Sequence, residues 1–234
     1  MLFFHSDLVW SQFPQLRALT MVFRGVANID PQRANFVDTL KQALQTLDST
    51  QEGDFPSIQA WRRAYSTMGL KPTQYRCAAE ALLRRLRKDR TLPGFHPLVD
   101  VLNAESALAA IPIAAFDMAH IVDNIVVRPA TGDEVYETFS GETETPEPGE
   151  IIFADAAGQA HSRRWVFRQS AVSVVRESSR SVLIVAEALH DNADSDLAAL
   201  RARLESRATE LGLVVSEASL LGPQERNLEF AAAA

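Results

Sequence analysis

A chain of 234 residues, 47% hydrophobic and 23% charged, has the composition of an ordinary globular protein with room for one large domain or two small ones, which excludes collagen-like and disordered sequence. The 23 basic and 30 acidic side chains leave a net charge of −7, which argues against a protein that coats nucleic acid with its whole surface and confines any such contact to a local patch. A single cysteine, Cys77, rules out an internal disulfide and a cysteine-based metal cage and points to a reducing compartment. The opening MLFFHSDLVW has no basic leader and meets an acid at Asp7, so it does not read as a signal peptide. No apolar run approaches the roughly 20 residues needed to span a bilayer, so the expectation is a cytoplasmic protein with no membrane partner.

Residues 2–4 read as a short strand, Ser6 as the cap of a brief helix, and residues 16–26 as a second strand, together a compact βαβ-like unit. Asp30-Pro31 offers a capping residue followed by proline at the first helical position, and Phe36, Val37, Leu40, Ala43, Leu44 and Leu47 continue at helical spacing to about Asp48. Ser57 is the expected cap of a helix carrying Trp61, Ala64, Tyr65 and Met68 toward Gly69, and Thr73 that of a longer one striped by Tyr75, Ala78, Ala79, Leu82, Leu83 and Leu86. A further helix is expected over residues 97–110.

From Asn124 the period becomes extended. Residues 125–128, 134–139, 150–154 and 161–168 read as strands between turns at Gly132, Gly141, Gly149 and Gly158, with Trp165 and Phe167 on one face of the last. Residues 181–188 make another strand, about 195–211 a helix, and Val214-Val215 a closing strand. The expected class is α+β: one domain over residues 1–230, with helices of the N-terminal half packed on a mostly antiparallel, mixed sheet from the C-terminal half. The terminal run of four alanines, 231–234, is set aside as a candidate non-native tail.

Nucleotide-binding glycine loops and the nucleophile elbow of hydrolases are absent, and the five histidines show no metal-ligand spacing, so no metal and no cofactor are expected. Arg84, Arg85, Arg87, Lys88 and Arg90 concentrate positive charge at a helix C-terminus, which suits either a solvated helix end or a phosphate contact. The arginines around Trp165 suit either an edge strand kept soluble or phosphate contact with base stacking. Glu142, beside Gly141 and opening an acidic, proline-bearing loop, either belongs to a soluble loop or points into a pocket.

Ala60-Trp61-Arg62, Tyr65, Gly69, Lys71-Pro72, Tyr75-Arg76, Glu80-Ala81-Leu82, Arg84-Arg85, Leu92-Pro93 and Leu98-Val99-Asp100 with Asn103 follow one another in an order that resembles the tRNA-editing domain of phenylalanyl-tRNA synthetase. That domain comprises the third and fourth regions of the synthetase beta subunit. The resemblance, to a free-standing form of the domain, continues through Pro112, Ala115-Phe116-Asp117, residues 125–128, Gly132, Gly149-Glu150, Asp155 and residues 164–169, covering most of 58–190.

It implies a protein that hydrolyses the ester of mischarged aminoacyl-tRNA in trans, tyrosine on phenylalanine tRNA for example, with the tRNA 3′ end as partner, no DNA, and the oligomeric state left open. The alternatives are a non-catalytic module of the same fold that binds tRNA or an amino acid, and an interaction protein that has lost both ligands. Rejecting phenylalanine while accepting tyrosine suits a site that hydrogen-bonds the extra hydroxyl, and the resemblance gives that role to Glu142. Asn103 and Asp117 become candidates for holding the amino group or the pocket floor. Arg128, Arg168 and Gln169 become candidates for the terminal adenosine or its phosphate, joined by the basic cluster at Arg84 and Arg85. The competing structural readings are that Asn103 caps a turn and that Asp117 pairs with Arg128. Where the editing domain typically carries a histidine this chain has Ala114, so no side chain there can act as a base, and hydrolysis would rest on a positioned water.

Overall fold

Ser181–Ala188 is an alternation of aliphatic residues without a charge before Glu187, and it is buried along its whole length because both of its faces are covered. In the computed structural model, which describes residues 1–232, it is strand β10, an inner strand of a four-stranded sheet. Its neighbours are β2 (Arg17–Arg24) and β3 (Ile113–Asp117), both antiparallel to it, and β11 (Val214–Leu221) lies outside β2. Ile184 stands opposite Met21 on one side and Ala115 on the other. Val182, Ile184 and Ala186 face a core shared with α5 (Pro97–Ala109) and α6 (Ala193–Leu211). Leu183 and Val185 face a second core, beneath α1 (Asp7–Gln12), α2 (Val37–Ser49), α3 (Pro56–Thr67) and α4 (Ala78–Asp89).

The second core is closed by a six-stranded sheet in the order β12-β1-β4-β7-β8-β9. Its strands are β1 (Leu2–His5), β4 (Ile125–Pro129), β7 (Ile151–Asp155), β8 (Ala160–Arg163), β9 (Arg168–Gln169) and β12 (Asn227–Glu229). A two-stranded hairpin, β5 (Tyr136–Glu137) and β6 (Thr143–Glu144), stands on its outer side. The α+β class therefore holds, with β1 and β2 supplying N-terminal strands to the two sheets. No helix among the described residues is long and apolar enough to cross a membrane. Ala233 and Ala234 of the terminal alanine run lie outside the described residues.

Several expected boundaries move for identifiable reasons. The βαβ-like unit does not form: β1 pairs in parallel with β4, and β2 lies in the other sheet. The six-residue α1, capped by Ser6 as expected, is too short for a crossover and turns a corner between the sheets. Asp30 caps only a 3-10 turn at Pro31–Arg33, and α2 begins at Val37, whose N–H is taken by Asn35 Oδ1 at 3.3 Å. Ser57 lies inside the first turn of α3 and spends its hydroxyl on Ala110 O at 2.7 Å. Thr73 caps nothing: α4 starts at Ala78, leaving Tyr75 outside it, edge-on to Phe167 with ring centroids 5.3 Å apart. The expected strand over 134–139 is reduced to Tyr136–Glu137, while the closing strand at Val214 runs for eight residues and the edge strand β3 appears where no strand was expected.

The largest departure is at 161–168, where Arg164 and Trp165 take the left-handed backbone conformation (φ +48° and +60°) and break the strand into β8 and β9. The tertiary structure holds this costly geometry, because the Trp165 ring is wholly buried between Phe13 and Trp61 and its indole N–H donates to Glu187 Oε1 at 2.9 Å. His5 Nε2 meets the same carboxylate oxygen at 2.6 Å, and the Trp61 indole donates to Glu187 O at 3.3 Å. Glu187→Ala would leave both groups without their buried partner and is expected to destabilise the fold by about 3 kcal/mol or more. Glu187→Gln, which keeps an acceptor, should lose less, and equal urea midpoints for wild type and Glu187→Ala would refute the assignment. Burial also pushes the Cys77 thiol up to about 12, so a thiol reagent at pH 8 should label the chain only as it unfolds.

Candidate functional site

A cavity of about 310 Å³ opens between α5, the free edge of β3, and β9 with the chain that leaves it. Val99 and Leu102 of α5, Ile113 and Ala115 of β3, and Val174 and Val175 form its apolar walls. Asn103 and Gln169 are its only polar side chains, and Phe95 and Phe139 complete the lining. Asn103 lies in the middle of α5, one residue after the inward-facing Leu102, so it caps no turn, and its amide has no hydrogen bond to other described residues. Gln169 Nε2 donates to Ala115 O at 2.7 Å, which leaves its carbonyl oxygen uncommitted.

The same bond shows which way β3 presents its backbone. Ala115 O accepts from Gln169, and Asp117 N donates to Ser173 O at 2.9 Å, both on the side away from β10. In an antiparallel pair N–H and C=O of one residue point the same way and successive residues alternate. Ala115 N–H and the backbone groups of Ile113 are therefore aimed at the open edge. A narrower space of about 60 Å³ lies on the other side of that edge, sharing Ile113 and Gln169 with the cavity and lined also by Ala114. The small side chain at 114 thus faces away from the main cavity.

The other sequence-derived candidates are distributed elsewhere. Asp117 is buried, with its carboxylate accepting from Ser179 Oγ at 2.6 Å and Ala119 N at 3.1 Å, and it does not pair with Arg128. Arg128 forms an ion pair with Glu134 and donates to Pro129 O. Arg168 pairs with Glu144 at 2.6 Å and lies over the Tyr136 ring at 5.1 Å. Glu142 is exposed at the tip of the β5–β6 hairpin, where its carboxylate accepts from Ser140 Oγ at 3.3 Å and does not line the cavity.

Arg84 and Arg85 border a separate open cleft with Arg87, Lys88, Glu52 and Asp89. There Glu52 takes Arg84 at 3.2 Å and Arg87 at 2.8 Å, Asp48 takes Arg90 at 2.8 Å, and Asp89 lies 3.6 Å from Arg85. The structure thus brings Asn103 and Gln169 together and leaves the remaining six outside the cavity.

Sequence reasoning missed the β3 edge, the 174–175 wall and the two phenylalanines; the available signal was a large apolar residue in each of two turns, Phe95 beside Gly94 and Phe139 two residues before Gly141. His161, wholly buried, binds Ser173 through Nδ1 at 2.9 Å and lies 3.4 Å from Asp155 Oδ2 through Nε2, bracing from behind the segment that carries Val174 and Val175. Burial raises the Asp155 carboxyl, but His161 and the N–H groups of Val122 and Gln159 outweigh it and hold it below its ordinary value. Among the described residues no cluster of three or more His, Cys, Asp or Glu side chains is placed to hold a metal ion.

A family model described as B3/4 domain matches residues 60–209 of the chain. No curated protein matches it. Among solved structures, an N-terminal fragment of the phenylalanyl-tRNA synthetase beta-subunit from Pyrococcus horikoshii is similar over 93% of this chain and 53% of that one, at 11% sequence identity and a TM-score of 0.46. The chain spans about half the length of that fragment.

The turn before the hairpin carries its own test. Burial pushes the Glu134 carboxyl up, but the Thr131 N–H, the Arg128 guanidinium and the Gly132 N–H overcome it and bring it down to about 2, from an ordinary 4.5. A carboxyl depressed by folding stabilises fully above its unfolded value and loses that contribution as pH falls through its folded value. The advantage of wild type over Glu134→Gln, read from urea midpoints, should be full at neutral pH and shrink steadily as pH drops from about 4.5 toward 2; an advantage independent of pH would show that the ionised pair does not hold this turn.

Proposed function

The chain belongs to the B3/4 domain family, and on that footing we propose that it hydrolyses the ester between an uncharged amino acid and the 3′ end of a tRNA, acting in trans on mischarged molecules. The observation that carries this reading is the cavity, an apolar chamber with one uncommitted side-chain amide, Asn103, beside a strand edge that offers a backbone N–H at Ala115. In this reading the amino-acid side chain enters between Val99, Leu102, Val174 and Val175. Asn103 Oδ1 accepts from the α-amino group. Water attacks the ester carbonyl carbon, the oxyanion that forms is met by Ala115 N–H, and the ribose oxygen leaves with a proton to give free amino acid and tRNA. A charged amino-acid side chain is rejected because nothing in the lining compensates its desolvation. The tyrosine-reading role of Glu142 would require its carboxylate to enter the cavity, so discrimination in the observed arrangement falls to Asn103 and Gln169. The cation-rich cleft at Arg84 and Arg85 is proposed to meet phosphates further along the acceptor strand.

One observation favours the second reading, a binding module without turnover: no titratable side chain lines the cavity, so a general base must be the solvent itself. The two readings separate in one experiment. Purified protein is incubated with a panel of mischarged tRNAs, tyrosylated phenylalanine tRNA included, and released amino acid is measured beside tRNA affinity at two salt concentrations. Hydrolysis predicts release, with kcat/KM lowered at least tenfold in Asn103→Ala, the loss of a hydrogen bond to a charged group. Salt-sensitive binding with no release from any tRNA would establish the module and refute the enzyme.

A further inference from the structure

Two large apolar side chains at the cavity mouth contribute nothing to the cores. Phe95 is 72% exposed and Phe139 71% exposed, and they come from separate parts of the chain, the turn before α5 and the tip of the β5–β6 hairpin. Single exposed apolar residues are ordinary; two phenylalanines bordering one cavity are a feature that folding does not explain. Their backbones are pinned although their rings are free. Phe95 N–H donates to Asp100 Oδ1 at 2.8 Å, and the next residue, His96, caps α5 by accepting from Leu98 N. The hairpin tip is closed around Phe139 by Thr138 N to Glu142 O at 2.9 Å, Gly141 N to Thr138 O at 3.0 Å and Glu142 N to Thr138 Oγ1 at 3.1 Å. Gly141 supplies the positive φ, +83°, that this tip requires.

We propose that Phe95 and Phe139 are a stacking clamp for the 3′-terminal nucleobase of the RNA whose aminoacyl group occupies the cavity. The inference rests on the reading above: an ester held in the cavity joins the amino acid to a ribose, and the base on that ribose lies outside the chamber, at the mouth. Nucleobases in single-stranded ends are held chiefly by stacking on aromatic faces. The acids nearby fit a neutral group better than a phosphate, because the Asp100 carboxylate holds the Phe95 backbone N–H and Glu142 sits in the same hairpin tip as Phe139. Arg176, on the segment that continues from the Val174–Val175 wall, donates to the carbonyls of Ala171, Val172 and Val174, pairs with no carboxylate among the described residues, and supplies a cation for the phosphate one step away from the base.

The test uses the full chain with Phe95→Ala, Phe139→Ala, the double substitution, and Phe139→Trp as the conservative variant. Two substrates are compared, a mischarged tRNA and the ethyl ester of the same amino acid, together with a CCA trinucleotide whose last base is 2-aminopurine, a fluorophore quenched by stacking. The clamp predicts a rise in KM for the tRNA of about tenfold per alanine substitution, clearly larger than any loss on the ethyl ester. It also predicts quenching of the trinucleotide by wild type and by Phe139→Trp that disappears in the double alanine variant. If wild type hydrolyses mischarged tRNA but the alanine variants lose no more on tRNA than on the ethyl ester, and no quenching occurs, the clamp is overturned and the hydrolase reading stands. If wild type hydrolyses neither substrate yet quenches the trinucleotide through the two phenylalanines, the clamp stands and the hydrolase reading falls. Absence of both hydrolysis and quenching removes both.

Discussion

The buried carboxylate of Glu187 is the point on which the two sheets agree. It sits near the end of the longest fully buried strand among the described residues and faces the core between the sheets, where it accepts from the Trp165 indole and binds the His5 ring of the opposite sheet. A carboxylate taken out of water stays only where donors replace its solvation, so these partners are obligatory neighbours. The consequences run outward. Anchoring Trp165 holds residues 164 and 165 in the left-handed conformation, which ends β8 and restarts the chain as β9. The restart carries Gln169 to the edge of β3, where it bonds Ala115 O and becomes part of the cavity wall. A core interaction thereby determines the shape of a surface site.

Charge is arranged in the opposite sense from what a nucleic-acid-binding surface would need, and this fits a protein with a narrow ligand. Most arginines are committed: Glu105 takes Arg203 and Arg207, Glu80 takes Arg62 and Arg76, and Glu150 and Glu144 divide Arg163. Several of these acids are themselves buried, so the pairs join helices and strands and are not screened decorations of the surface. With a net charge of −7 and most cations in use, long-range attraction for RNA is weak. On the proposed reading, recognition comes from close contact at the cavity and its mouth, where the polar groups that remain unspent are an amide, a strand edge and little else.

How far residue patterns carry can be judged from particular elements. The strand over 181–188, the helices around Trp61, Leu83 and Leu102, and the cap at Ser6 follow from period and capping chemistry, which depend on neighbours in sequence. Thr73 and the 161–168 segment did not follow, because there a distant partner outweighs local preference: Tyr75 is drawn onto Phe167, and Trp165 into the core against Glu187. Of the candidate site residues, Asn103 and Gln169 meet in one cavity, while Glu142 remains exposed and Arg128 and Arg168 are occupied by Glu134 and Glu144. A motif gives a residue its order in the chain and leaves its partners undetermined, and an arginine opposite a carboxylate is a different chemical object from a free one.

By itself, the sequence determined that this is an α+β protein of modest negative charge, built on amphipathic helices and an apolar central strand, with motifs whose order resembles that of an editing domain and with alanine at position 114. The class, the charge and the elements are written in composition and period, and the likeness to an editing domain rests on resemblance alone. Only the tertiary structure decided that the strands divide into two sheets, that β3 keeps an open edge, that the cavity is neutral and that Phe95 and Phe139 stand at its mouth. Each of these depends on which residues far apart in the chain come into contact, and that is settled by burial of the whole core and the pairing of its few charges.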